Sequence, residues 1–326
     1  MPHILIGGHI HEAGLALIRA TPGMSFDMVE DMTAPSTLTL LEQTNAILVR
    51  TQPLPATLLE QAQHLKILSR HGVGYDNVPV EVLNRRGIPL CVVGDANSGA
   101  VAEHTLMLML ALAKRVIAYD RETRAGNWRF RDSQEATELE GRTLLLLGFG
   151  RIGRAVARRA AAFGLEIEVH DPYADPALIT QSGARPVAAL HEALARADFL
   201  SVHIPLVGSK APIGAAELAM MKRGAIVINT ARGGIIDEDA LAAALASGQI
   251  GGAGLDVFTT EPPAAGHKLF AHERVIVTPH AAGLSKECAM RMARMAAQNI
   301  LDFFAGKLDP ALIVNRAHAT AMPVPG

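Results

Sequence analysis

Residues 143–153 read Thr-Leu-Leu-Leu-Leu-Gly-Phe-Gly-Arg-Ile-Gly. An unbroken apolar run, Thr143–Leu147, ends in the glycine cluster and passes straight into an Ala- and Arg-rich stretch, Arg151–Phe163. A strand buried on both faces reads as such a run. A helix directly behind it turns Gly148, Gly150 and Gly153 into a strand–turn–helix phosphate loop. Gly148 makes the tight turn, Gly150 lets a pyrophosphate approach the backbone, and Gly153 lets helix and strand pack closely. The N–H groups of Arg151 and Ile152 then face the phosphates at the positive end of the helix dipole.

The next strand, Glu166–His170, runs into Asp171, eighteen residues beyond Gly153. An acid roughly 20 residues after the glycines meets the ribose 2′-hydroxyl of a dinucleotide. Its carboxylate repels a 2′-phosphate, so the spacing points to NAD rather than NADP. An Asp before Pro172 also makes a turn, and that reading stands beside the first.

Outward from this loop, apolar runs alternate with helical stretches. Ile4–Ile6, Ala46–Val49, Lys66–Ser69 and Leu90–Val93 form one set of expected strands. Thr143–Leu147, Glu166–His170, Phe199–His203, Ala225–Asn229, Ala253–Val257 and Val275–Thr278 form another. Such alternation makes βαβ units and parallel sheets. Two sets predict an α/β chain of two doubly wound parallel-sheet domains. The boundary is expected near residue 98, where Ser98 offers a cap for a helix reaching Tyr119. That helix is apolar nearly all round and needs cover on every side. A second long helix is expected from Ser285 to Phe304, with Met290, Met292 and Met295 in the core. The nucleotide domain (99–284) is then inserted into the other domain (1–98 and 285–326).

Composition narrows the function. The chain has 326 residues, 49 % apolar and 19 % charged, with a net charge of -2. This describes a globular protein rather than a disordered one. Thirty basic residues against 32 acidic ones leave no nucleic-acid footprint. Its most apolar stretch, Leu106–Ala113, is far short of the roughly 20 residues that span a membrane. The two cysteines, Cys91 and Cys288, have no metal or disulfide spacing, and no histidine pair has one. We therefore expect a cytoplasmic protein without a metal.

Three segments place a candidate side chain just past a strand. They are Asn229-Thr230-Ala231-Arg232-Gly233-Gly234, Asp256-Val257-Phe258-Thr259-Thr260-Glu261-Pro262, and Thr278-Pro279-His280. Ligands of such sheets bind at the carboxyl ends of the strands. The fork of Arg232 suits a carboxylate. Glu261 and His280 are the candidates for an acid/base pair. Singly, each has a structural reading as a surface charge, a turn acid or a strand-end residue. Their common placement favours the joint one.

With these motifs the sequence resembles the D-isomer-specific 2-hydroxyacid dehydrogenases, over about residues 40–315. Val-Gly-Tyr-Asp-Asn at 73–77, Val-Ala-Glu-His at 101–104 and the segment 291–300 add to the match. The resemblance implies a Rossmann domain inserted into a flavodoxin-like substrate domain, and NAD as cofactor. It implies Arg232 as the clamp on the substrate carboxylate and carbonyl oxygen, His280 as acid/base and Glu261 as its partner. Asp256 is implied to hold the nicotinamide carboxamide. Thr230, Ala231 and Gly283 are implied to line the nicotinamide side. Backbone at Val73 and Gly74 is implied to bind the substrate carboxylate. A homodimer built on the nucleotide domain is also implied.

Within that family the likeness is greatest to D-3-phosphoglycerate dehydrogenases, in a short form without a regulatory domain. Arg50 and Arg70 end two strands of the first domain, and two strand-end arginines exceed what one carboxylate needs. A glyoxylate or hydroxypyruvate reductase is the alternative. A dinucleotide-sensing corepressor is the alternative of another class.

Overall fold

The structure is a computed structural model that describes residues 1–206, 208 and 211–320. The chain divides into two units, Met1–Asn97 with the segment from Leu284 onward, and Ser98–Gly283. Each unit is built on one all-parallel sheet.

The first sheet holds β1 (His3–Gly7), β2 (Ser25–Val29), β3 (Ala46–Val49), β4 (Ile67–Arg70) and β5 (Leu90–Cys91), in the order β2-β1-β3-β4-β5. That is the flavodoxin-like order. The core strand β3 is buried at every position, as its unbroken apolar run requires. The helix Lys286–Phe304 packs on this sheet. Ser69 Oγ donates to its Ala296 carbonyl, and Asn299 Nδ2 donates to the Val92 carbonyl. Gly14 admits it closely: a Cβ there would lie 2.7 Å from the Ala293 carbonyl oxygen. The following tail runs along β5, where Val92 N–H donates to Leu312 and Val314 N–H to Leu90.

The second sheet holds β6 (Thr143–Leu147), β7 (Glu166–His170), β8 (Arg185–Pro186), β9 (Phe199–Val202), β10 (Ala225–Asn229), β11 (Ile250–Leu255) and β12 (Val275–Val277). Its order is β12-β11-β10-β9-β6-β7-β8. The chain starts in the middle, at β6, and reverses direction between β6 and β9. This is the dinucleotide-binding arrangement, with its crevice at the carboxyl ends of the strands beside that reversal. The helix Ser98–Ala113 lies against β11, whose glycines make room. A Cβ on Gly254 would sit 2.9 Å from Leu108 Cβ, and one on Gly252 would sit 3.2 Å from a Leu112 methyl. Much of that helix is therefore covered by its own sheet.

Several details differ from the sequence reading. Strand β2 was not anticipated, because Ser-Phe-Asp-Met-Val at a sheet edge carries polar residues among its apolar ones. Two-residue β8 contains a proline and gives no periodic signal. The helix expected to reach Tyr119 stops at Ala113. Arg115 takes a left-handed φ of 54°, and a separate helix covers Val116–Arg124. The break is held by Arg115 ion pairs to Glu135 and Glu273, while Thr137 N–H donates to the Ala113 carbonyl. Ser98 is the first helical residue and is itself buried, so it is not the cap. Ser285 does cap its helix, accepting from Cys288 N–H. Met292 is buried, but Met290 is exposed on the outer face of that helix.

Candidate active site

In the second unit, β6 ends at Leu147 and the chain turns through Gly148 at φ 99°. A Cβ on Gly148 would meet the His203 carbonyl oxygen at 2.7 Å, and one on Gly153 would meet the Gly148 carbonyl oxygen at 2.2 Å. Both positions are closed to any side chain. Gly150 differs: a Cβ there would find nothing within 4 Å. It faces open space at the start of the helix Arg151–Ala161. An open glycine between two closed ones is the cradle a pyrophosphate requires.

Asp171 fastens this loop from the end of β7. Its Oδ2 accepts from Phe149 N–H at 2.7 Å and its Oδ1 from Tyr173 N–H at 2.9 Å. The turn role is thus real, and each oxygen keeps a further acceptor site for a ribose hydroxyl. His203 flanks the same turn, with its Nε2 2.8 Å from Ser201 Oγ. Burial pushes its imidazole down to about 4, so it is neutral at physiological pH.

Three loops leave the carboxyl ends of β10, β11 and β12. The first is closed by Asn229, whose side chain donates to the Arg232 carbonyl and accepts from Ala231 N–H. Gly233 is obligatory, since a Cβ there would lie 1.9 Å from the Phe258 carbonyl oxygen. In this way the loop after β10 is pressed against the loop after β11. Arg232 is half-buried, with one Nη donating to the Ala231 carbonyl.

Asp256 starts the second loop and is 1 % exposed. Its Oδ1 accepts from Thr278 Oγ1 and from Ala281 N–H at 2.8 Å, and its Oδ2 from Ala282 N–H at 2.9 Å. Its own carbonyl accepts from His280 N–H. One buried carboxylate thereby shapes the whole third loop.

His280 sits in that loop at φ 51°, one of three non-glycine residues with positive φ among the described residues. Such backbone costs about 1–3 kcal/mol and clusters at functional sites. The residue's side chain is 49 % exposed. Its Nδ1 lies 2.7 Å from Glu261 Oε2, while Glu261 Oε1 accepts from Phe258 N–H at 3.0 Å. An ionised Glu261 is an acceptor only, so Nδ1 carries the proton. Nε2 is left as the nitrogen that exchanges one.

Gly148, Gly150, Arg151, Ile152, Gly153, Asp171, Thr230, Ala231, Arg232, Asp256, Glu261, His280 and Gly283 all belong to this unit. Arg50, Arg70, Val73 and Gly74 belong to the first unit, at the carboxyl edge of its sheet. Arg70 pairs with Val49 across β3 and β4, which places Arg50 and His71 next along the two strands. Arg70 donates to the His71 carbonyl, and Asn77 donates to the Gln52 carbonyl at 2.9 Å. Val73 and Gly74 are half-buried. His71 is 4 % exposed. Burial, with the charges of Arg50 and Arg70 adding to it, holds its imidazole down to about 4.

The sequence reading did not single out Asn229 or Phe149. An Asn closing a strand before a turn is the one signal that could have found the first. Among the described residues no group of His, Cys, Asp and Glu could hold a metal ion.

The second sheet, its open glycine and the oriented imidazole define a class: a dinucleotide-dependent oxidoreductase. Comparisons narrow the class. The profile of the D-isomer specific 2-hydroxyacid dehydrogenase NAD-binding domain matches residues 106–282. The glyoxylate reductase of Korarchaeum cryptofilum is 36 % identical over 320 residues, 96 % of each chain. The D-3-phosphoglycerate dehydrogenase of Mycobacterium tuberculosis is 40 % identical over 275 residues, 84 % of this chain. This match spans only 52 % of the mycobacterial protein. Among solved structures, the NADPH-dependent glyoxylate/hydroxypyruvate reductase of Sinorhizobium meliloti, crystallised with citrate, superposes with a TM-score of 0.85. It is 28 % identical, with 99 % of this chain and 100 % of that one covered. The chain belongs to the D-isomer-specific 2-hydroxyacid dehydrogenase family and is an NAD-dependent enzyme of it.

Proposed function

We propose that the protein interconverts a D-2-hydroxy acid and its 2-keto acid, with His280 as the acid/base. The observation that carries this is the Glu261–His280 pair, on the carboxyl edge of the same sheet as the open glycine loop. Gly148, Gly150 and Gly153, with the N–H groups of Arg151 and Ile152, hold the pyrophosphate, and Asp171 holds the ribose. Oδ2 of Asp256 has one donor and keeps a site for the nicotinamide carboxamide. Thr230, Ala231 and Gly283 line that side.

Bound NAD supplies the hydride acceptor for oxidation and, when reduced, the donor for reduction. In oxidation, neutral His280 takes the hydroxyl proton on Nε2. In reduction, the same nitrogen returns it to the carbonyl oxygen. Glu261 holds Nδ1–H and so fixes the ring and its tautomer. Arg232 pairs with the substrate carboxylate and stabilises charge developing on the reacting oxygen. Val73 and Gly74 bind the carboxylate through their backbone.

For the substrate, neighbouring Arg50 and Arg70 favour an acid with a second anionic group, the 3-phosphoglycerate and 3-phosphohydroxypyruvate couple. Glyoxylate or hydroxypyruvate is the second reading. It is favoured by the full-length likeness to a glyoxylate reductase and by the Arg70 hydrogen bond to its own loop. A homodimer is supported by apolar side chains of the second unit that stay exposed: Met107, Val116, Ile117 and Trp128. Two free buried thiols, Cys91 and Cys288, support a cytoplasmic setting. Among the described residues no helix is long and apolar enough to cross a membrane.

The test is NADH oxidation with phosphohydroxypyruvate, hydroxypyruvate, glyoxylate and pyruvate, and NADPH in parallel. A preference for the phosphorylated acid supports the first reading, and a preference for an unphosphorylated acid the second. If NADH bound but no keto acid were reduced, the sensing alternative would replace both.

A further inference from the structure

We infer that His104 and Thr105, adjacent residues on the helix Ser98–Ala113, are positioning residues for His280 and Arg232 respectively. The inference rests on the reading of those two side chains as acid/base and carboxylate clamp.

The geometry is a pair of latches. His104 Nε2 lies 2.9 Å from Thr278 Oγ1, two residues before His280. Thr105 Oγ1 lies 2.9 Å from Thr230 Oγ1, two residues before Arg232. One turn of one helix thus grips both loops at the same distance from their reacting side chains.

Proton accounting gives each latch a direction. A hydroxyl has one proton to give and two lone pairs. Thr278 donates its proton to Asp256 Oδ1, which as a carboxylate only accepts. His104 must therefore be the donor to Thr278, through Nε2–H. The chain His104 to Thr278 to Asp256 continues into the loop, because Asp256 also accepts from Ala281 and Ala282 N–H, and its carbonyl accepts from His280 N–H. Nε2 of His104 is itself 3.8 Å from Asp256 Oδ1, so that nitrogen lies close to the same carboxylate. In the second latch Thr105 gives its proton to the Val101 carbonyl at 2.8 Å. Thr230 must then donate to Thr105. Both threonines of this latch are buried, so an unpaired Thr230 hydroxyl has no water to turn to.

A packing role alone requires none of this polarity. Leucine or valine would fill the same space on a helix whose next eight residues, Leu106–Ala113, are all Leu, Met or Ala. What the polar pair adds is a fixed height for two loops, one of which holds His280 in strained backbone.

The test uses His104→Leu and Thr105→Val, with His104→Gln and Thr105→Ser as rescues that keep the needed donor and acceptor. Loss of the first latch should lower kcat about 10- to 100-fold, the scale of a misplaced catalytic group. It should also shift the imidazole titration of His280, read by NMR on histidine-labelled protein. Loss of the second should raise KM for the keto acid about 10-fold and leave the His280 titration where it is. Both rescues should recover most of the loss. Unchanged kinetics and titration in both variants would overturn the inference, as would losses that follow Tm alone and are not rescued. If the wild-type protein reduced no keto acid, the assigned reaction would fail. The His280 titration in His104→Leu would still decide the first latch.

Discussion

His280 Nδ1 and Glu261 Oε2 lie 2.7 Å apart, and the carboxylate is pinned from behind by Phe258 N–H. The imidazole is therefore held by a group that is itself held. Glu261→Gln keeps the size but can present an amide N–H to Nδ1, which favours the wrong tautomer. We predict a fall in kcat of about 10²-fold, within the range of general acid/base contributions. Steady-state kinetics across pH measures it, and NADH affinity should stay close to that of the wild type.

Arg232 sits in a loop closed by Asn229 and pressed on the loop after β11 through Gly233. Arg232→Lys keeps the charge and loses the planar fork. We predict a loss of kcat/KM of about 10²- to 10³-fold, the scale found for one donor to a developing oxyanion. An unchanged kcat/KM would remove Arg232 from the reaction.

Asp171 binds its own loop through two backbone N–H groups and leaves acceptor sites for a ribose. Asp171→Ala removes both functions and the repulsion of a 2′-phosphate. NADH binding should weaken by about 10- to 100-fold, as for a lost hydrogen bond to a charged group. NADPH should weaken less, so that the two cofactors become closer in KM.

His71 and His203 predict the acid side of the stability curve. Both imidazoles have folded values near 4 against 6.5 for the free side chain. Below pH 6.5 the unfolded chain takes up protons that the folded one refuses. Stability is thus complete above that pH and is lost as pH falls from 6.5 toward 4. For His71, 4 % exposed, the loss is on the order of 3 kcal/mol. Thermal unfolding from pH 7 to pH 4 should show a Tm that falls with acid, and a shallower fall in His71→Leu.

Both parallel sheets and their glycine loop were legible because buried parallel strands are uninterrupted apolar runs. Strand β2 was not, since an edge strand shares its polar faces with loops. The break at Arg115 was also hidden, because it is set by Glu135 and Glu273, which lie close only after folding. Arg232, Glu261 and His280 could be picked out by their place after successive strands. Asn229, and the grip of His104 and Thr105 on two threonines, could not. Those contacts join residues more than a hundred positions apart or depend on which way a turn closes. The segment 73–77 read well as a motif, but the burial of His71 beside two arginines needed the fold.

The central claim is that His280 moves the proton in a hydride transfer between a 2-hydroxy acid and NAD. The most direct measurement is NADH oxidation by wild-type protein and His280→Asn, with the best of the four keto acids, alongside NADH binding by fluorescence. We predict turnover by the wild type and a loss of about 10²- to 10⁴-fold in kcat for His280→Asn, with NADH binding retained. Equal rates in the two proteins would contradict the claim.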